Sequence, residues 1–168
     1  MKIIKGRVVY KLGDDIGTDM ILAGRYLMLT GDEELAEHCF EGHIKDWKDK
    51  VKKGDVLVAA GNFGCDSSRE HAPIALKGSG IAAVIAESFG RIFYRNSIAV
   101  GLPVIQTPEI SKKVKEGDVL EIDLDNGKIT NTQTKEVINF NPFPDFIQAY
   151  LNEGGLSNYV RKRVKNTK

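Results

Sequence analysis

The residue pattern predicts an α/β fold with a parallel sheet that passes into a β-rich segment, and three observations point to it. Short apolar runs alternate with helix-forming stretches along most of the chain. The runs at residues 56–60 and 81–86 are continuous rather than alternating, as expected of strands buried on both faces. Residues 117–124 switch to a period of two and lead into an Asn126-Gly127 turn, the signature of an antiparallel hairpin.

The elements follow in order. A first strand is expected at residues 6–12, where Val8, Val9, Tyr10 and Leu12 precede the turn-rich Gly13-Asp14-Asp15-Ile16-Gly17-Thr18-Asp19. Residues 25–30 are apolar between Gly24 and Gly31, and strand, helical turn and loop stay open there; residues 33–40 hold helix formers with Leu35 and Cys39 at i, i+4. The run 56–60 ends in Gly61-Asn62-Phe63-Gly64-Cys65-Asp66, and Ser67-Ser68-Arg69-Glu70-His71 leads into a helix over residues 72–77, which Gly78 and Gly80 stop. With the strand at 81–86 this forms a βαβ crossover, whose ligands favour the carboxyl ends of the strands. A helix at 89–96, a strand at 103–106, the strand at 117–124 with its hairpin return at 129–130, and helices at 145–152 and 156–163 separated by Gly154-Gly155 complete the chain. Residues 1–168 are read as one domain, because this length buries a core without a second.

Composition narrows the function. Apolar residues make up 42% and charged residues 28%, and no apolar run reaches a membrane span, so a soluble protein is expected. The charges that interrupt Met1-Lys2-Ile3-Ile4-Lys5-Gly6-Arg7 rule against a signal peptide and set the expectation of a cytoplasmic protein. The 24 Lys plus Arg balance 23 Asp plus Glu, so no global field would gather nucleic acid; the basic residues 161–165 read as a solvated last helical turn. Cys39 and Cys65 are too few and too far apart for a zinc or iron-sulfur set, and His38, His43 and His71 lack metal-ligand spacing and read as solvated or structural.

The segment 61–71 carries the chemistry. A helix N-terminus offers unsatisfied N–H groups, Arg69 adds a forked cation suited to a carboxylate or phosphate, and Gly61 and Gly64 let the backbone approach an anion. The spacing lacks both the P-loop ending and the three glycines of a dinucleotide fingerprint, which argues against nucleotides. Ser67-x-x-Glu70 matches a capping box, whereas capping by Asp66 would leave the Ser67 and Ser68 hydroxyls free beside Arg69. Cys65 is a candidate exposed thiol, and Asp14 and Asp15 fit turn roles better than a magnesium loop.

Three ordered motifs, Gly13 to Asp19, Gly64-Cys65-Asp66-Ser67-Ser68-Arg69-Glu70-His71-Ala72 and Ile85-Ala86-Glu87-Ser88-Phe89-Gly90-Arg91-Ile92-Phe93-Tyr94-Arg95-Asn96, resemble the swivelling domain of the aconitase superfamily, nearest to the free-standing small subunits of isopropylmalate isomerases and archaeal homoaconitases. The resemblance implies a swivelling β/β/α-type domain with a mixed sheet. It implies Ser67 as the base that takes a proton from the carbon beside a carboxylate, Ser68 and Arg69 as holders of carboxylate oxygens, and Asp19 as an orienting active-site group. It further implies a hydro-lyase active only with a large subunit that carries a four-iron four-sulfur cluster, with none in this chain. The reaction would interconvert 2- and 3-isopropylmalate through isopropylmaleate, in leucine biosynthesis, with citramalate-type substrates as a second use. A homoaconitase small subunit and a noncatalytic assembly module are the alternatives, and self-association of the isolated chain stays open. Homoaconitase-like chains resemble Tyr-Leu-Arg-Thr in the loop aligned with residues 25–30, the arginine meeting a third carboxylate. Met28 stands in that place here and implies an apolar substrate tail.

Overall fold

The computed structural model describes residues 3–66 and 69–165. Its strands are β1 (Ile3–Leu12), β2 (Val56–Ala59), β3 (Ala83–Ala86), β4 (Val104–Gln106), β5 (Val119–Asp123), β6 (Lys128–Asn131) and β7 (Val137–Asn139), and its helices are α1 (Thr18–Ile21), α2 (Asp32–Glu37), α3 (Trp47–Lys50), α4 (His71–Gly78), α5 (Arg91–Val100), α6 (Ile110–Lys113), α7 (Asp145–Asn152) and α8 (Leu156–Lys165). The strands form one mixed seven-stranded sheet in the order β4-β3-β2-β1-β5-β6-β7. No helix among the described residues is long and apolar enough to cross a membrane.

β1 joins the two kinds of pairing. Its first half, Ile3 to Arg7, runs antiparallel to β5, and its second half, from Val8, runs parallel to β2. The register shifts between Val8 and Tyr10, which pair with the consecutive residues Val56 and Leu57, so Val9 is an extra residue in the strand. Beyond β1 lie the parallel strands β2, β3 and β4 on one side and the antiparallel meander β5, β6 and β7 on the other.

The burial matches the apolar patterns. Every residue of β2 and β3 is buried, as the continuous runs require of strands covered on both faces, while β5 buries Leu120 and Ile122 and alternates with more exposed neighbours. Phe63 and Phe93 are fully buried and meet edge to face at 5.3 Å between centroids, fastening α5 to the loop that follows β2.

Several boundaries differ from the expected ones, each for a local reason. The helix expected from residue 89 starts at Arg91, because Phe89 pairs with Phe63 instead: the Phe63 amide donates to the Ser88 carbonyl and the Gly90 amide to the Phe63 carbonyl. α4 begins at His71 with Glu70 at the N-cap, and Asp66, four residues before Glu70, has a φ of 69° and does not cap it; the Ser67 of the expected capping box lies outside the described residues. The open segment 25–30 contains the end of a 3₁₀ turn, Gly24–Tyr26, followed by further turn.

Candidate functional site

The parallel strands β1, β2 and β3 all end on the same edge of the sheet, and the loops that leave them are tied to one another. The Gly61 amide donates to Asp14 Oδ1 at 2.7 Å and Asn62 Nδ2 to Asp15 Oδ1 at 2.7 Å, so both carboxylates hold the first loop to the second. The Gly64 amide donates to the Ile16 carbonyl at 2.7 Å and the Thr18 amide to the Cys65 carbonyl at 3.1 Å, continuing the parallel pairing past the strands. Two glycines permit this closeness. Gly64 has a φ of 76° and no room for a side chain beside Phe93, while a methyl group on Gly90 would lie 2.5 Å from the Gly64 carbonyl oxygen.

This lattice of loops sets α1 and α4 side by side, and between them lies a shallow cleft open to solvent, lined by Thr18, Asp19, Leu22, Leu27, Arg69, His71 and Ala72. Asp19 is exposed in the first turn of α1. Arg69 precedes α4, and its guanidinium lies against the backbone of the 3₁₀ turn: a methyl group built on Gly24 would sit 3.8 Å from one of its Nη atoms. The Nδ1 of His71 is buried and has no hydrogen-bond partner among the described residues. The cleft thus combines a forked cation, a polar ring nitrogen and a carboxylate with an apolar wall made by Leu22, Leu27 and Ala72, an arrangement suited to a small anion that carries an apolar group.

Of the residues expected to form the site, Asp19 and Arg69 meet in this cleft. Ser67 and Ser68 lie outside the described residues. Met28 is 89% exposed, so it fills no core position; in its loop, Leu27 is the residue that lines the cleft. Cys65 is 9% exposed rather than an open thiol, and burial, followed by the carboxylates of Asp66 and Asp15, raises its pKa. Thr18, Leu22, Leu27, His71 and Ala72 are the lining residues that sequence reasoning did not select. For His71 the available signal was its place in the anion-binding segment, next to Arg69 in space. No group of three His, Cys, Asp or Glu side chains among the described residues could hold a metal ion.

Comparison with known proteins gives a consistent picture. A family model described as the aconitase C-terminal domain matches residues 13–110. The isopropylmalate/citramalate isomerase small subunit of Methanocaldococcus jannaschii is 53% identical over 162 residues, covering 96% of this chain and 96% of that protein. The 3-isopropylmalate dehydratase small subunit of Caldanaerobacter subterraneus subsp. tengcongensis is 48% identical over 162 residues, covering 96% of this chain and all (100%) of that one. A crystal structure described as 3-isopropylmalate dehydratase from Methanocaldococcus jannaschii aligns with a TM-score of 0.90 at 48% identity over 99% of this chain and 98% of the other.

Proposed function

The chain belongs to the aconitase C-terminal domain family, among the small subunits of 3-isopropylmalate dehydratase, and from that premise we propose that it binds the substrate of a heteromeric hydro-lyase that interconverts 2- and 3-isopropylmalate. The observation that supports this reading best is the cleft in which Arg69 and Asp19 face an apolar wall containing Leu27. A hydroxy diacid with an isopropyl tail presents the matching chemistry, a carboxylate for the guanidinium fork and a branched alkyl group for the leucine. A citramalate-type substrate, with a methyl in place of the isopropyl group, fits the same cleft as a second use, and the name of the Methanocaldococcus jannaschii relative favours it.

In the proposed mechanism Arg69 holds a carboxylate of the substrate, and Ser67, acting as its alkoxide, takes the proton from the carbon beside it and becomes the neutral hydroxyl, which later returns that proton. The guanidinium stabilises the negative charge that spreads into the carboxylate. Hydroxide leaves the neighbouring carbon to give the unsaturated diacid, and water returning with the opposite regiochemistry places the hydroxyl on the other carbon. Proton and hydroxide balance over the cycle, so no redox partner is needed.

This chain's thiols do not fit an iron-sulfur cluster: Cys39 and Cys65 are both buried, and burial raises the pKa of each against the thiolate a cluster requires. The four-iron four-sulfur cluster that the resemblance implies is assigned in this proposal to the large subunit, and this chain contributes its own residues. The decisive experiment reconstitutes the pair with Ser67→Ala and Arg69→Lys. Ser67→Ala is expected to lower kcat by about 10²–10⁴-fold with little change in binding, and Arg69→Lys to weaken binding as well because the fork is lost. Near-normal turnover by an intact Ser67→Ala complex would remove the serine from the mechanism.

A further inference from the structure

The wall of the cleft that carries Leu27 has a second side. There, three side chains converge on one oxygen of Glu41: the Tyr26 hydroxyl donates to Oε2, Arg25 Nη2 donates to it at 3.5 Å, and His38 Nδ1 lies 3.0 Å from it. The Tyr26 and His38 rings stack with centroids 3.7 Å apart and planes within 9°, and the Arg25 guanidinium lies 4.8 Å from the Tyr26 ring centroid. Glu41 itself stands on a fixed base. Phe40 beside it is fully buried and its amide donates to the Ile21 carbonyl at 2.7 Å, while the Glu41 amide donates to the His38 carbonyl at 3.2 Å.

Tyr26 and Leu29 of the gripped segment also pack against the core, while Arg25, Met28 and Thr30 are exposed. Residues 25–30 belong to no strand, and their backbone order rests on the turn bonds Tyr26 to Ala23, Leu27 to Gly24 and Leu29 to Tyr26. Arg25 and Tyr26 reach back to Glu41 on one side, and the next residue, Leu27, enters the cleft on the other. We propose that Glu41 is a positioning residue that latches this loop through Tyr26, Arg25 and His38 and so holds the Leu27 wall against the apolar tail of the substrate. This inference rests on the functional reading above for the identity of the tail, but not for the latch itself. The carboxylate acts through the loop and touches no reacting atom. The pKa of Glu41 is lowered, chiefly by the Tyr26 hydroxyl and then by His38 and Arg25, so it is the charged form that grips.

The test uses Glu41→Ala and Tyr26→Phe, the second of which keeps the ring stack and removes only the hydroxyl. Hydrogen exchange of the full chain should show the Tyr26, Leu27 and Leu29 amides exchanging about five- to tenfold faster in both variants, the loss expected of exposed polar contacts that cooperate. In the reconstituted pair, KM for isopropylmalate should rise by a similar factor while kcat stays within about twofold, because the reacting groups are undisturbed. Unchanged exchange at these three amides in both variants would overturn the latch. If the wild-type pair does not turn over isopropylmalate, the functional reading falls, and the exchange measurement still decides whether Glu41 holds the loop.

Discussion

A methyl group added at Gly64 would lie 2.1 Å from Phe93 Cγ in a backbone conformation, φ 76°, that other residues avoid. Gly64→Ala is therefore expected to destabilise the fold by about 3 kcal/mol or more and to lower Tm by roughly 10 °C, as scanning calorimetry would show. Met28, exposed next to the cleft-lining Leu27, is proposed to share in the choice of the substrate tail from outside the cleft wall. Met28→Arg should shift the ratio of kcat/KM for isopropylmalate and a homocitrate-type substrate about tenfold towards the tricarboxylate, the worth of one charge-assisted hydrogen bond; an unchanged ratio in equally assembled complexes would assign selectivity elsewhere. Tyr10 is buried and its hydroxyl donates to Asp46 at 2.8 Å, and burial first, then that bond, raises its pKa far above the ordinary phenol range. A raised folded pKa means that its contribution is complete below about pH 10 and is lost as the pH rises further, so urea titrations between neutral and alkaline pH should show a loss that Tyr10→Phe flattens. Arg69 was legible because a forked cation between a glycine-containing loop and a helix is a local pattern, and Asp19 was selected only through the family resemblance, whereas Leu27 was not legible, because nothing local tells which of Leu27, Met28 and Leu29 faces a neighbouring helix.

The same division between local and distant information holds for the elements. β2, β3 and the Asn126-Gly127 hairpin were readable from continuous apolar runs and from turn chemistry. β7 was not, because the connection from β6 has no glycine or proline to announce it. Asn131 builds that turn instead: its Oδ1 accepts from the Gln133 amide at 3.0 Å and the Thr134 amide at 3.2 Å, and its Nδ2 donates to Asp118 Oδ2 at 2.7 Å. Asn131 is fully buried, so Asn131→Ala strands these partners and should cost about 2–3 kcal/mol, seen as a lower urea midpoint with an unchanged slope. The helix expected over residues 72–77 is α4 within a residue at each end, but an Asp66 cap offered on paper is not used, because Asp66 adopts a left-handed conformation before the helix begins.

At the scale of the whole molecule, the balanced charge and short apolar runs pointed to no partner of any class, because a docking surface is shaped by chains that the sequence does not contain. The proposed division of labour makes a direct prediction: the isolated chain, purified anaerobically with iron and sulfide, should show neither cluster absorbance nor isomerase turnover, and adding the large subunit should restore both. Turnover by this chain alone would refute the assignment. The sheet also bears on the order of assembly. β1 is the shared seam, pairing Ile3 with Asp123 on one flank and Leu12 with Ala59 on the other. During synthesis β1 can pair with β2, beyond which β3 and β4 add in turn, yet its opposite flank waits for β5, the first strand of the meander, so the nascent chain carries an open strand edge until Val119–Asp123 has been made. The earliest strand is thus among the last to be completed, and the interval before β5 arrives is when this chain is most exposed to pairing with the wrong partner.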